Sequence, residues 1–495
     1  KMNLAINGLR GEIKQGDSYA EDLYDSFGKF DFVMANPPFN VKEVNEELVS
    51  KDKRFTEYGL PKSKSKTKAG GVTSIPNGNY LWISLFATSL NETGRAALVM
   101  SNSASDAGHS EYDIRKTLIR KGIISSMLTL PSNMFSTVTL PATLWFFDKA
   151  KLIGDFETEK DKIEILFIDA RNVFHQIDRA HREFTEEQLQ NLAAINYLRK
   201  GNRKFYIELV HSHYSNAFDK LPTVKEILAS IVQSMSKQLA DFSKWASSAA
   251  PTFKVGTTDR PLPLGFSTDQ FLTDCKKLYV TDINTIHISI EKALVDFTAY
   301  TQTYNAENAD ETNAAQLTLL SDNENLLHDF YLVKKELEKN YRDYEKLFKL
   351  ADDQLKNKDD KVWKTLGKPK DIRLLLDKLN EYSSPVKNNN YEEEEKSPVY
   401  FLKMAEWLQQ RFPKAEYEDV TGLCKLANIT DIEEQDYSLN PGRYVGVVIE
   451  EDGMTEEEFE VEIKKLNNEL NLLNTSSSDL EKLIHLNILN LFDNE

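Results

Sequence analysis

Phe30-Asp31-Phe32-Val33-Met34-Ala35-Asn36-Pro37-Pro38-Phe39 opens as a short, mostly apolar run and stops at Asn-Pro-Pro. An apolar run of that length, closed by turn formers, reads as a strand feeding a rigid turn. The pattern continues outward from it. Tyr80 to Leu90 carries apolar residues at helical spacing, and Ala96 to Met100 is a second buried-type strand. Tyr112 to Arg120 reads as helix; Ile123 to Leu130, Leu144 to Phe147 and Ile165 to Ile168 read as further strands. This alternation over residues 1–170 predicts an α/β layer fold whose chemistry sits in the loops just after strands.

The tetrad Asn36-Pro37-Pro38-Phe39 suits one kind of chemistry. An exocyclic amine on a base is a poor nucleophile because its lone pair is delocalised into the ring. The Asn36 side-chain oxygen and the Pro37 carbonyl can accept its two hydrogens, turning the lone pair toward a methyl donor. The prolines fix φ and so hold that carbonyl in place, and preorganised dipoles stabilise developing charge. Phe39 can stack on a base rotated out of the helix. The alternative for the same residues is a rigid turn capping a strand. By composition such a tetrad is expected in about 1% or fewer of chains this long.

Beyond residue 170 the pattern changes. From Thr185 it is mostly helical, and Leu326, Phe330, Val333 and Leu337 repeat at the spacing of a coiled-coil seam. Ser383 to Pro398 reads as a polar, low-complexity linker. Thr455 with Glu458 and Ser478 with Glu481 form capping-box patterns. They start two helices, striped by Phe459, Ile463, Leu466 and Leu470 and by Leu480, Leu483 and Ile484. The stripes fit a self-packed hairpin or a partner-binding surface. These readings divide the chain into a catalytic domain (1–170), a helical connection (171–201), a helical insertion with coiled-coil character (202–416) and a C-terminal partner-docking helical segment (417–495).

Composition bounds the rest. The chain has 495 residues, enough for two or three domains, and a net charge of −17 that disfavours gripping long DNA unaided. One local exception, the basic run from Lys51 to Lys68, is either a solvated loop or a phosphate-facing one. Two widely spaced cysteines, Cys275 and Cys424, fit a reducing cytoplasm rather than a disulfide framework or a zinc site. No apolar run is long enough for a membrane span, and no signal peptide is expected at Lys1-Met2-Asn3-Leu4. His175, His181, His211 and His213 lack acidic or cysteine partners at ligand spacing and read as surface histidines, with no metal site.

Asn36-Pro37-Pro38-Phe39 resembles the catalytic motif of amino-group, S-adenosylmethionine-dependent methyltransferases. Gly16-Asp17-Ser18, upstream of it, resembles the acidic motif whose carboxylate meets the cofactor's adenine amine; taken alone, it is an ordinary turn sequence. Asn77-Gly78-Asn79-Tyr80-Leu81-Trp82, Ile114 to Ile119, Leu130-Pro131-Ser132-Asn133-Met134-Phe135 and Tyr437-Ser438-Leu439-Asn440-Pro441-Gly442-Arg443-Tyr444-Val445-Gly446 narrow the resemblance to modification subunits of type I restriction-modification systems.

The resemblance covers residues 1–201 and 417–495. It implies a Rossmann-like methyltransferase fold acting on adenine N6 in duplex DNA, with S-adenosylmethionine as donor. A specificity subunit and a restriction subunit are the implied partners, in the cytoplasm of a bacterium or archaeon. Asn36, Pro37, Pro38 and Phe39 are the implied catalytic residues, and Asp17 and Ser18 the cofactor contacts. Phe135 is either a second aromatic beside the flipped base or a core phenylalanine.

Two features depart from the family. No Gly-rich cofactor motif occurs in this sequence, so an upstream portion is expected to be missing, and the region between Gly201 and Tyr417 is longer than the connection expected there. Two rival readings accompany the resemblance: an RNA or protein-glutamine amino-methyltransferase, and a truncated, non-catalytic assembly subunit.

Overall fold

A computed structural model describes residues 2–62, 73–135, 141–150, 163–248, 282–354, 361–383 and 396–447, with isolated helical positions at 273 and between 463 and 481. Its centre is a six-stranded sheet of β1 (Phe30–Ala35), β2 (Leu90–Ser101), β3 (Ile124–Thr129), β4 (Ala142–Asp148), β5 (Glu164–Asp169) and β6 (Cys424–Asn428), ordered β1-β2-β4-β3-β5-β6. β1 pairs parallel with β2, and β3 with β5, while β4 and β6 run antiparallel to their neighbours. Four strands therefore point one way, and the mixed α/β layer expected from the alternation is present.

Period-two alternation sorts the side chains to two faces. Met127, Trp145, Ile165 and Phe167 belong to one core. Leu128, Leu166 and Ile168, one residue out of step, belong to the other. The first face is covered by α1 (Asn79–Ser89) and α2 (Ser110–Arg120). α1 is buried almost all round: Tyr80, Ile83 and Ala87 meet the sheet. Its Leu81 and Leu85 instead meet Val44, Val49, Phe55 and Ile75. A helix apolar on every side needs partners on every side, and the segment after the tetrad supplies the second one.

The other face carries a helical bundle: α3 (Glu186–Arg199), α4 (Arg203–Phe218), α5 (Leu221–Ser248), α6 (Ile283–Thr303), α7 (Ala309–Asp322), α8 (Glu324–Gln354), α9 (Pro369–Ser383) and α10 (Pro398–Arg411). Thr185 starts it with a capping box closed by Gln188. The seam residues Leu326, Phe330, Val333 and Leu337 are all buried, and α8 lies against α6 and α9. The helices expected over 202–416 are present, and they form a bundle whose core is continuous with the sheet. A heptad pattern records an apolar stripe and does not say what covers it.

Two histidines expected at the surface are inside this bundle. His211 stacks on Tyr304, with centroids 3.8 Å apart. His213, 1% exposed, donates its Nε2–H to Asn191 Oδ1 at 2.9 Å, an orientation set by Asn191 Nδ2 donating to the Met404 carbonyl. Burial pushes the His213 pKa from the ordinary 6.5 down to about 4. Between those values the unfolded chain takes up a proton that the folded chain refuses. The stabilisation is therefore complete above the unfolded pKa and falls away as pH drops through the folded one, by about 3 kcal/mol. The urea midpoint of the wild type should fall relative to that of His213→Gln as pH drops from neutral to acidic; parallel pH profiles would contradict this.

The C-terminal region also departs from expectation. Residues 424–428, expected in a helical docking segment, form β6 on the edge of β5. Asn428 then caps a short helix, Ile429–Glu434, through a capping box with Asp431. Tyr437, Leu439, Tyr444 and Val445 enter the core on the α1/α2 face. Tyr444 stacks on Phe167 at 3.8 Å and 8°, and its hydroxyl donates to the Ser438 carbonyl at 2.6 Å. Buried Arg115 donates to the Tyr437 carbonyl at 2.6 Å, and Ser438 bonds Asp106. The distinctive C-terminal sequence is therefore part of the core on the α1/α2 face of the sheet.

Residues 446–495 form a separate unit, in which Ile463, Leu470 and Leu480 are exposed. Thr455, Glu458, Phe459, Leu466, Leu483 and Ile484 lie outside the described residues, as do Cys275 and most of the expected linker. Among the described residues no helix is long and apolar enough to cross a membrane.

Candidate active site

Parallel pairing puts the carboxyl ends of β1, β2, β3 and β5 on one rim of the sheet. The tetrad leaves β1 at this rim. Asn36 is exposed, Pro37 buried, Pro38 exposed and Phe39 half-buried. A buried proline anchors the turn while its neighbours face outward, which is the arrangement that presents a carbonyl and a side-chain amide to a ligand.

The turn is held from behind. Asn40, the next residue, has φ +55°, a left-handed conformation that asparagine tolerates better than most residues. Asn79, 3% exposed at the start of α1, grips it twice. Asn79 Oδ1 accepts the Asn40 amide at 2.8 Å, and its Nδ2 donates to Asn40 Oδ1 at 3.0 Å. The same Nδ2 reaches Ser101 Oγ at the end of β2, at 3.3 Å. Gly78 donates its amide to the Val41 carbonyl, and a Cβ there would sit 2.8 Å from Tyr19 Oη. The contacts of Asn40, Asn79 and Gly78 with this turn are features for which the sequence reading gave no role. The Asn77-Gly78-Asn79 triplet was their only visible signal.

Asp17 and Ser18 lie in the loop preceding β1, both exposed. The Asp17 carboxylate accepts the Tyr19 amide at 2.9 Å, and its carbonyl accepts the amides of Ala20 and Glu21. Tyr19 tucks against Trp82 at 4.9 Å and Phe55 at 6.0 Å; burial pushes its phenol pKa well up. This loop is thereby tied to the helix that holds Asn40. A cavity of about 250 Å³ is lined by Gly16, Ser18, Asp22, Phe30, Val33 and Arg54 among others.

Phe135 sits beyond β3, three strands along from β1, or roughly 14 Å at ordinary strand spacing. It is half-buried and packs on the bundle-side core. Its loop is held by Arg182, whose amide donates to the Asn133 carbonyl at 2.9 Å and whose Nη1 donates to Ser132 Oγ at 3.1 Å. Among the described residues, no three His, Cys, Asp or Glu side chains gather as a metal site.

Among the described residues β1 is hydrogen-bonded only to β2, and on one face Phe30, Phe32 and Met34 are 37%, 75% and 88% exposed. The run that reads as buried in the sequence is thus uncovered on that face.

The model of the N-6 DNA Methylase family matches residues 1–227 and 355–453. The match extends beyond the resemblance read from sequence and leaves a central part of the bundle outside it. The chain is 35% identical over 192 residues to the type I restriction enzyme MjaIX methylase subunit of Methanocaldococcus jannaschii, covering 39% of this chain and 32% of that one. It is 32% identical over 195 residues to the type I restriction enzyme HindI methylase subunit of Haemophilus influenzae, covering 39% of each. A solved type I methyltransferase subunit from Streptococcus thermophilus aligns over 40% of this chain and 38% of its own, at 22% identity and a TM-score of 0.32. The chain spans about a third of the length of the curated relatives it matches. With the tetrad held at the sheet rim and the family model spanning the sheet strands on both sides of the bundle, the chain belongs to the N-6 DNA methylase family.

Proposed function

We propose that this chain carries the target-base side of a site-specific DNA adenine-N6 methyltransferase, as the modification subunit of a type I restriction-modification complex in a bacterial or archaeal cytoplasm. The observation that carries the reading is the Asn36–Phe39 turn, anchored by buried Pro37 and gripped through Asn40 by Asn79. Asn36 Oδ1 and the Pro37 carbonyl accept the two amine hydrogens of an extruded adenine. That removes the nitrogen lone pair from ring conjugation and aims it outward. Phe39 supplies a stacking face for the base. When bound, S-adenosylmethionine would supply the methyl group toward which that lone pair is turned.

The residues present fit one edge of that donor. Asp17 offers an exposed carboxylate to its adenine amine and Ser18 a hydroxyl beside it. The remaining walls belong at the open side of β1, where Phe32 and Met34 await cover. The net charge of −17 leaves duplex contacts to a basic specificity subunit, and a restriction subunit completes the assembly. The exposed Ile463, Leu470 and Leu480 are assigned to docking on such partners.

A tritiated-methyl assay tests the proposal. The chain alone should neither bind S-adenosylmethionine measurably by calorimetry nor transfer label. A complete subunit with its specificity partner should place the label on adenine N6 in duplex DNA. Label recovered on RNA or on a protein glutamine would replace this reading with the corresponding rival, and a complete assembly that transfers nothing would leave only a structural subunit.

A further inference from the structure

Arg54 falls in the basic run from Lys51 to Lys68, where a solvated or phosphate-facing side chain is expected, yet it is 4% exposed. A buried guanidinium is costly unless its donors are matched, and these are. Nε and Nη2 donate to Asp52 Oδ2 at 2.9 and 2.6 Å, and Asp22 lies at 3.7 Å. Nη1 donates to the backbone carbonyls of Ser18 at 3.3 Å and Glu21 at 3.2 Å. Asp52 aims the fork. Its Oδ1 accepts the Arg54 amide at 2.8 Å, capping the one-turn helix Lys53–Thr56, while its Oδ2 holds the side chain. The Arg54 carbonyl in turn accepts the Thr88 hydroxyl at the far end of α1.

These contacts join two parts of the site. Ser18 and Glu21 bracket the turn in which the Asp17 carbonyl accepts the amides of Ala20 and Glu21. Arg54 lies downstream of the tetrad, on the segment packed against α1, and α1 also grips Asn40. We propose that Arg54 is a positioning residue for the methyl-donor site: its fork on the Ser18 and Glu21 carbonyls fixes the Asp17 carboxylate relative to the Asn36–Phe39 turn. The role rests on the methyltransferase reading above. Lysine cannot substitute fully, because a point charge cannot serve Asp52 and two carbonyls in one plane.

The test uses a complete subunit with its specificity partner, comparing wild type, Arg54→Gln and Arg54→Lys. Arg54→Gln should raise the donor KM at least about tenfold, while kcat at saturating donor and the DNA KM stay within about twofold. Arg54→Lys, the safer variant for folding, should fall between. Hydrogen exchange at the Ala20 and Glu21 amides should quicken in both variants, with β2 amides unchanged. A donor KM within about twofold of wild type in Arg54→Gln, or kcat and both KM values degrading together in Arg54→Lys, overturns the role. A wild-type assembly that transfers no methyl group overturns the methyltransferase reading and this role with it. Normal wild-type transfer with an unchanged donor KM in the variants overturns the role of Arg54 alone.

Discussion

Asn36→Ala should reduce methyl transfer by a complete assembly by roughly 10²–10³-fold or more in kcat, with donor binding largely intact. That is the scale on which single preorganised dipoles at a reacting centre act. The variant removes one of the two acceptors proposed to turn the amine lone pair, and the other, the Pro37 carbonyl, stays fixed by its buried ring. Little structural damage should accompany the loss: Asn36 is exposed, and the turn is held through Asn40 and Asn79 instead. Phe39→Ala should act differently, weakening capture of the extruded base by about 1–3 kcal/mol. The measurement is incorporation of tritiated methyl into duplex DNA, with donor binding read in parallel by calorimetry. Full activity of Asn36→Ala would remove the tetrad from the chemistry.

Tyr444→Ala should cost about 3–5 kcal/mol of stability, the range for emptying a large aromatic site in a core. The ring is 7% exposed, lies flat on Phe167 and closes the loop through the Ser438 carbonyl. Phe167 sits in β5 opposite Met127 of β3 and Lys425 of β6, so the lost stack loosens the sheet where β5 joins β3 to β6. Tyr444→Phe keeps the stack and gives up the hydroxyl's bond, a smaller loss of about 1 kcal/mol. Denaturant midpoints followed by near-ultraviolet circular dichroism distinguish the two. An unchanged midpoint in Tyr444→Ala would mean that the C-terminal sequence is attached to this core without supporting it.

The first half of the fold was legible because its strands are short apolar runs closed by turn residues. Phe30–Ala35 was read at its observed bounds, and Asn79–Ser89 within a residue at each end. β6 escaped notice: Cys424-Lys425-Leu426-Ala427-Asn428 is brief, half polar and far in sequence from its partner β5. A local pattern cannot report a pairing made across the whole bundle. The tetrad was visible because proline leaves a strong mark in sequence. The burial of Asn79 and Arg54 was invisible for the opposite reason, since a polar residue buried by its hydrogen bonds looks like any surface one until its partners are placed. His213 misled in the same way.

The sixth strand has a consequence for how this protein comes into being. β5 leaves the ribosome before the bundle is made, and β6 leaves after it. At ordinary elongation speeds, the edge of β5 stays unpaired for roughly ten to fifty seconds while the helices emerge. Phe167 waits as long for Tyr444. Throughout that interval the nascent sheet carries β5 without its partner β6. Unpaired edges are templates for foreign strands. Synthesis of this subunit is therefore most exposed to aggregation midway through translation, and slowing ribosomes within the bundle codons should lower its soluble yield more than slowing them after Asn428.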